Sequence, residues 1–236
     1  MDFNTLISDI KEGFGEGVKL PIAVWYSDKP AGEMANVPHC IFAAIPRIES
    51  GDIVSFDENT VKCGGGKFYC RFREFHPNIP KFVSGKERYK QTPEMVQDYA
   101  DSLGIVLVKD KYLNFARIDK IDYVPDIEGI FFLATPDVVS GLATWAFYDT
   151  NDPLAVQTLF ASGCAAIVSF ISVAKANDKD TCYIGMFDPS ARKYIQPNEL
   201  SFAIPSNRLE KMAETIRESA LFAPAWQTIK NRIVEA

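Results

Sequence analysis

Phe3, Leu6, Ile7 and Ile10 recur at steps of three and four residues, the spacing of one helix face, and Gly13 stands where that helix should stop. The pattern changes at residues 20–26 (LPIAVWY), a β-rich run that predicts a buried strand with Pro21 tolerated near its start. Turn residues follow at 28–32, and 39–44 (HCIFAA) predicts a short helix curtailed by Pro46. Strands are expected at 52–56 and 66–73, the second alternating Phe68, Cys70 and Phe72 with Lys67, Tyr69 and Arg71. Residues 76–92 are polar and punctuated by proline, reading as loop with a short strand at 81–84. Thr92 then caps a helix with Pro93 at its first position, Met95, Val96, Tyr99 and Leu103 on one face, and Gly104 as stop.

The second half predicts a strand at 129–134, helices at 136–147 and 153–160, strands at 181–187 and 199–204, and a long helix capped by Ser206. Leu209, Met212, Ala213, Ile216 and Ala220 form its apolar face. The order of elements therefore repeats. In each half a strand leads to a cysteine segment, Cys40 or Cys164, and a glycine-bearing segment follows at nearly equal spacing: Cys63 lies 23 residues after Cys40, and Met186 lies 22 after Cys164. The expected fold is α+β, two pseudo-symmetric αβ halves (1–110 and 111–236) packed as one compact domain, with Cys40 matched to Cys164 and Cys63 to Met186.

Composition narrows the function classes. The chain has 236 residues, 47% of them hydrophobic, and a formal charge of −6. That is an ordinary globular composition, which excludes disordered, collagen-like and low-complexity chains. A chain of this length buries about 70% of its unfolded surface, so neither disulfide nor metal is needed merely to hold it folded. The acidic balance argues against nucleic acid, whose phosphates demand a Lys/Arg surplus. No apolar stretch approaches the roughly 20 residues of a membrane span, and the opening Met1-Asp2-Phe3-Asn4 does not resemble an export signal. A cytoplasmic protein is expected, with no membrane partner and with homo-oligomerisation open. The five cysteines, an odd number, fit a reducing compartment.

Cys40, Cys63 and Cys164 are the candidate functional residues, because thiolates are soft, charged donors suited to zinc, copper(I) and iron–sulfur clusters. Cys63 precedes three glycines, whose amides can approach an anion or a sulfur closely. Gly64 and Gly65 are therefore candidate ligand contacts, although the run lacks the spacing of a phosphate loop and also reads as a turn or bulge. The alternative is that the cysteines merely pack as small apolar residues, as Cys70 and Cys182 are expected to do. His39 beside Cys40 has no orienting acid in register, and His76 belongs to a polar loop. Aromatic runs at 130–132 and 145–148 read as core or interface.

Several short segments carry a family likeness: residues 21–26 (PIAVWY), His39-Cys40, 63–66 (CGGG), Cys164-Ala165-Ala166, Gly185 with the later Ser190-Ala191-Arg192-Lys193-Tyr194, and 203–205 (AIP). Spread over most of the chain, they resemble the archaeal and bacterial family known as domain of unknown function 169. Its pattern reads P-V-A-V, H-C, C-x-G-G, C-x-D-A, G-C-x-G-S-R and G-I-P. Two positions depart from it: Met186 stands where the pattern has a cysteine, and Ala166 where it has an aspartate. The resemblance implies no established activity. A four-thiolate site in relatives would here be Cys40, Cys63 and Cys164 with the thioether of Met186. Arg192 is a candidate contact for a small anionic ligand, or else a structural ion pair. The expectation is a thiolate-lined site for a metal, an iron–sulfur cluster or a thiol-reactive ligand between the halves. The alternatives are a binding module with structural cysteines and a thiol-dependent redox or transferase enzyme.

Overall fold

A computed structural model describes residues 2–122 and 126–235. The chain begins with α1 (Phe3–Phe14), capped by the Asp2 carboxylate, which accepts from the amides of Asn4 and Thr5. Gly13 is buried inside this helix, and the stop is Gly15 at φ 102°. Next come β1 (Ile22–Ser27), β2 (Glu33–Met34), a 3₁₀ turn (Ile41–Ala44) running into α2 (Ile45–Ser50), and β3 (Val54–Phe56). Then follow α3 (Gly64–Tyr69), α4 (Ile79–Phe82), a π-helical turn (Val83–Glu87), α5 (Pro93–Ser102) and β4 (Tyr112–Arg117). The second part holds β5 (Ile127–Ala134), α6 (Pro136–Ala146), β6 (Val156–Gln157), a π-helical turn (Ala165–Ser169) and α7 (Phe170–Ala176). It closes with β7 (Cys182–Gly185), α8 (Pro189–Arg192), β8 (Leu200–Pro205), α9 (Ser206–Thr215), short 3₁₀ turns and α10 (Gln227–Glu235).

The strands form one mixed eight-stranded sheet in the order β2-β3-β4-β1-β5-β8-β7-β6. The pairs β2–β3 and β6–β7 are parallel and the rest antiparallel, including the central β1–β5 pair, which sets Ile22 opposite Phe131. Both faces of the sheet are covered, so its central strands read as continuous apolar runs rather than as an alternation. Side chains nevertheless alternate between two cores. Ile22, Val24 and Phe131 enter one, with Phe42, Phe56, Phe115 and Ile167. Ala23, Trp25 and Phe132 enter the other, with Phe14, Trp145, Leu209 and Trp226.

Several expectations are overturned. Residues 66–73 are not a strand: the glycines open α3 and Cys63 caps it, because a chain returning from β3 must leave the sheet to cover its face. Residues 81–84 are helical rather than extended. Residues 153–160 hold turns and the short β6 in place of a helix. Pro46 does not end the helical segment but sits in the first turn of α2, where its missing amide leaves no bond unmade. Ser206 is the first residue of α9 and makes no capping bond. Met95 faces solvent, and α5 is buried through Val96 and Ala100.

Candidate functional site

A cavity of about 410 Å³ opens on the face of the sheet carried by α2, α3 and α7. Its volume lies within the range of small-molecule sites, roughly 300–1,000 Å³. Cys40, Cys63 and Cys164 all line it, as do Gly64 and Gly65. Each cysteine stands at the start of a helical turn. Cys40 precedes the 3₁₀ turn and its carbonyl accepts from the Ala43 amide at 3.0 Å. Cys63 caps α3, its Sγ accepting from the Gly66 amide at 3.4 Å. Cys164 precedes the π-helical turn, with its Sγ 3.5 Å from the Ser162 hydroxyl.

The fourth such position is Asp188, 2% exposed, which caps α8 and also lines the cavity. Its Oδ1 accepts from the amides of Ser190 (2.7 Å) and Ala191 (3.0 Å), and its Oδ2 from the Gly163 amide at 2.8 Å. The three amides satisfy the carboxylate oxygens with neutral donors. The Asp188-Pro189 pair, a favoured cap followed by proline at the first helical position, is the sequence signal by which Asp188 could have been found.

The segment between α3 and β4 roofs the cavity with Phe75, Ile79, Phe82, Tyr89, Val96 and Tyr99. Tyr89 meets Phe160 edge-on at 5.7 Å, joining this roof to the second part of the chain. The Tyr99 hydroxyl is buried without a hydrogen-bond partner. Glu87 and Lys90 bring charge to the same wall, with the Lys90 ammonium 4.7 Å from the centre of the Tyr99 ring. Val96 and Tyr99 were legible as the apolar face of α5, but Ile79, Phe82, Glu87, Tyr89 and Lys90 were not in the polar, proline-punctuated reading of 76–92, because their convergence is made by tertiary packing.

Burial pushes the Cys40 thiol up to about 12, with the charges of Cys164, Cys63 and Asp188 adding to the shift. Cys63 is also raised, chiefly by burial, against the lowering effect of the Gly66 and Gly65 amides. Cys164 lies well above the ordinary thiol value because its hydrogen bond with Cys70 favours the protonated form and burial adds to this. At neutral pH the three are thiols rather than thiolates.

Two of the expected site residues lie elsewhere. Met186 is 1% exposed and adopts φ 68°. It packs behind the wall against Gly163, where an added Cβ would stand 2.8 Å from the Met186 sulfur. The positive φ turns the chain sharply between β7 and α8, so that Asp188, two residues on, reaches the cavity instead. Arg192 is not among the lining residues either: its guanidinium donates to the backbone carbonyls of Glu199 and Pro197, which fastens the loop after α8. His76 is exposed, as expected of a polar loop, and His39 is exposed too. Among the described residues no group of three or more His, Cys, Asp or Glu is disposed to hold a metal ion, and no helix is long and apolar enough to cross a membrane.

The fold is α+β, a covered mixed sheet with a thiol-bearing cavity on one face. The chain belongs to the family described as uncharacterised ArCR, domain of unknown function 169, whose model matches residues 18–215. No curated protein and no solved structure matches it significantly.

Proposed function

We propose that this chain is a small-molecule-binding protein whose ligand occupies the cavity beneath residues 75–99, with Cys40, Cys63 and Cys164 against it. One observation carries the reading: three cysteines far apart in sequence line a single, largely apolar space of about 410 Å³. Polar groups few in number and fixed by their own hydrogen bonds, set in apolar walls, are the usual make-up of a ligand site. The test is titration with the neutral fluorescent amine N-phenyl-1-naphthylamine. One-to-one binding is expected, weakened at least about tenfold by Ala161→Trp, which fills the cavity from a loop. A wild-type chain that gives no fluorescence gain, or an Ala161→Trp chain that binds equally well, would overturn the reading.

A thiolate-bound metal is the second reading; the three sulfurs share the cavity but are not grouped as ligands where they stand, so it requires them to draw together. It predicts that anaerobically purified protein carries stoichiometric zinc, copper or iron with thiolate-to-metal absorption, lost on Cys63→Ser.

The cavity also supports an internal duplication. Read outward from the β1–β5 pair, the sheet runs β1-β4-β3-β2 on one side and β5-β8-β7-β6 on the other, with the same parallel and antiparallel pairs in the same places. This divides the halves after β4 rather than at 110/111. The cap positions then match Cys40 to Cys164 as expected, but Cys63 to Asp188 instead of Met186. The equivalence predicts that Cys63→Asp caps α3 as Asp188 caps α8, with a Tm no lower than wild type in a thermal melt. A fall of more than about 5 °C, roughly 2 kcal/mol in a chain of this size, counts against it.

A further inference from the structure

The charge on the cavity wall says what kind of ligand suits it. We infer that the occupant is an organic cation, a small molecule with an apolar body and an ammonium group; this rests on the cavity reading above and deepens it. Two carboxylates belong to the lining, Asp188 and Glu87, and among the described residues neither makes an ion pair. Asp188 is held by amides and the Ser190 hydroxyl, which satisfy its oxygens without cancelling its charge. Aromatic rings surround them: Tyr69, Phe75, Tyr89, Tyr99 and Phe160 line the same space. Carboxylates among aromatic faces are the chemistry that recognises ammonium groups, by charge and by attraction to the ring faces.

The wall already uses this chemistry, since the Lys90 ammonium lies over Tyr99. Arg192, the expected anion contact, is spent on backbone carbonyls outside the lining.

The experiment is calorimetric titration of the full chain, kept reduced, with three molecules of similar size: phenethyltrimethylammonium, 3-phenylpropionamide and 3-phenylpropionate. The ammonium compound should bind at least about tenfold tighter than the amide, and the carboxylate weakest. In Glu87→Gln the preference for ammonium over amide should fall to about threefold or less. An amide or carboxylate that binds as tightly as the ammonium compound overturns the inference, and so does an undiminished preference in Glu87→Gln. Failure of all three beside a positive N-phenyl-1-naphthylamine titration overturns the cation alone; failure beside a negative one overturns the cavity reading as well.

Discussion

The two faces of the sheet are covered by helices of different kinds. On one, α1, α6 and α9 run for ten to twelve residues and lay apolar stripes directly on the strands. Trp145 is completely buried there with its indole N–H donating to the Met212 carbonyl at 2.8 Å, and Phe14 meets Trp226 edge-on at 5.8 Å. On the other face α2, α3 and α8 run for only four to six residues beside the longer α5 and the helical stretch 163–176, and the turns near Cys40, Cys63, Cys164 and Asp188 border an open space. Long helices bring a full complement of side chains and leave little unfilled. Short ones spend much of their length on caps, and where several caps gather, polar atoms and thiols border a gap.

Thiol chemistry should break this comparison most visibly if it is wrong. Cys182 is wholly buried on the packed face, whereas Cys63 is exposed at the cavity. Iodoacetamide followed by mass spectrometry should label Cys63 at least about a thousandfold faster, since Cys182 waits for an opening that costs several kcal/mol. The Cys63 rate should climb about tenfold per pH unit from pH 7 to 9, because only the thiolate reacts and its pKa is raised. Burial pushes Cys40 and Cys182 alike from an ordinary 9.0 up to about 12. Each holds its proton more tightly folded than unfolded, so its contribution is complete below pH 9 and is lost as pH rises from 9 towards 12. Urea titrations across that window should show the decline, and Cys40→Ser should lessen it. Equal labelling of the two thiols in native buffer would dissolve the distinction between the faces.

Glycines sharpen it at smaller scale. A Cβ on Gly141, in α6, would stand 2.5 Å from the Phe14 ring and 2.6 Å from that of Trp226. Gly141→Ala should therefore cost about 1–3 kcal/mol in urea denaturation, as overpacking does. At Gly64, on the cavity, the nearest atom to an added Cβ is Ile79 Cδ1 at 3.9 Å. Gly64→Ala should leave stability unchanged or raise it by up to about 1 kcal/mol, because alanine suits a helix better than glycine. Reversed signs would place the tight packing on the wrong face.

Much of the frame was legible in the sequence. The three-and-four spacing of Phe3, Leu6 and Ile10 and the Thr92-Pro93 start of α5 carry their structure locally, and both strands of the central pair announce themselves as apolar runs. β4 escaped because Asn114 sits at its middle, a residue strands disfavour. There Asn114 is fully buried and bonded to Ser27 and Ser55, a cost that only the folded sheet offsets. α3 escaped because alternating Phe68 and Cys70 mimic a strand, and glycines are poor helix formers. At the site, the three cysteines and the two glycines were named in advance and share the cavity. Asp188, Glu87 and the aromatic roof were not, since their neighbours across the cavity lie far away along the chain, Cys40 being 148 residues before Asp188. Met186 and Arg192 were assigned by their place in a motif, and the backbone turn at Met186 carries both past the lining.

The margins of the sheet bear on how such molecules behave in company. Its outermost strands, β2 and β6, are two residues long and run parallel to their inner neighbours. A ragged, abbreviated hem offers another chain almost no row of free amides to knit onto, which is how many natural sheets discourage stacking into fibrils. Crowded solutions of this protein should therefore stay clear, free of the ordered aggregates that a long, bare border would seed.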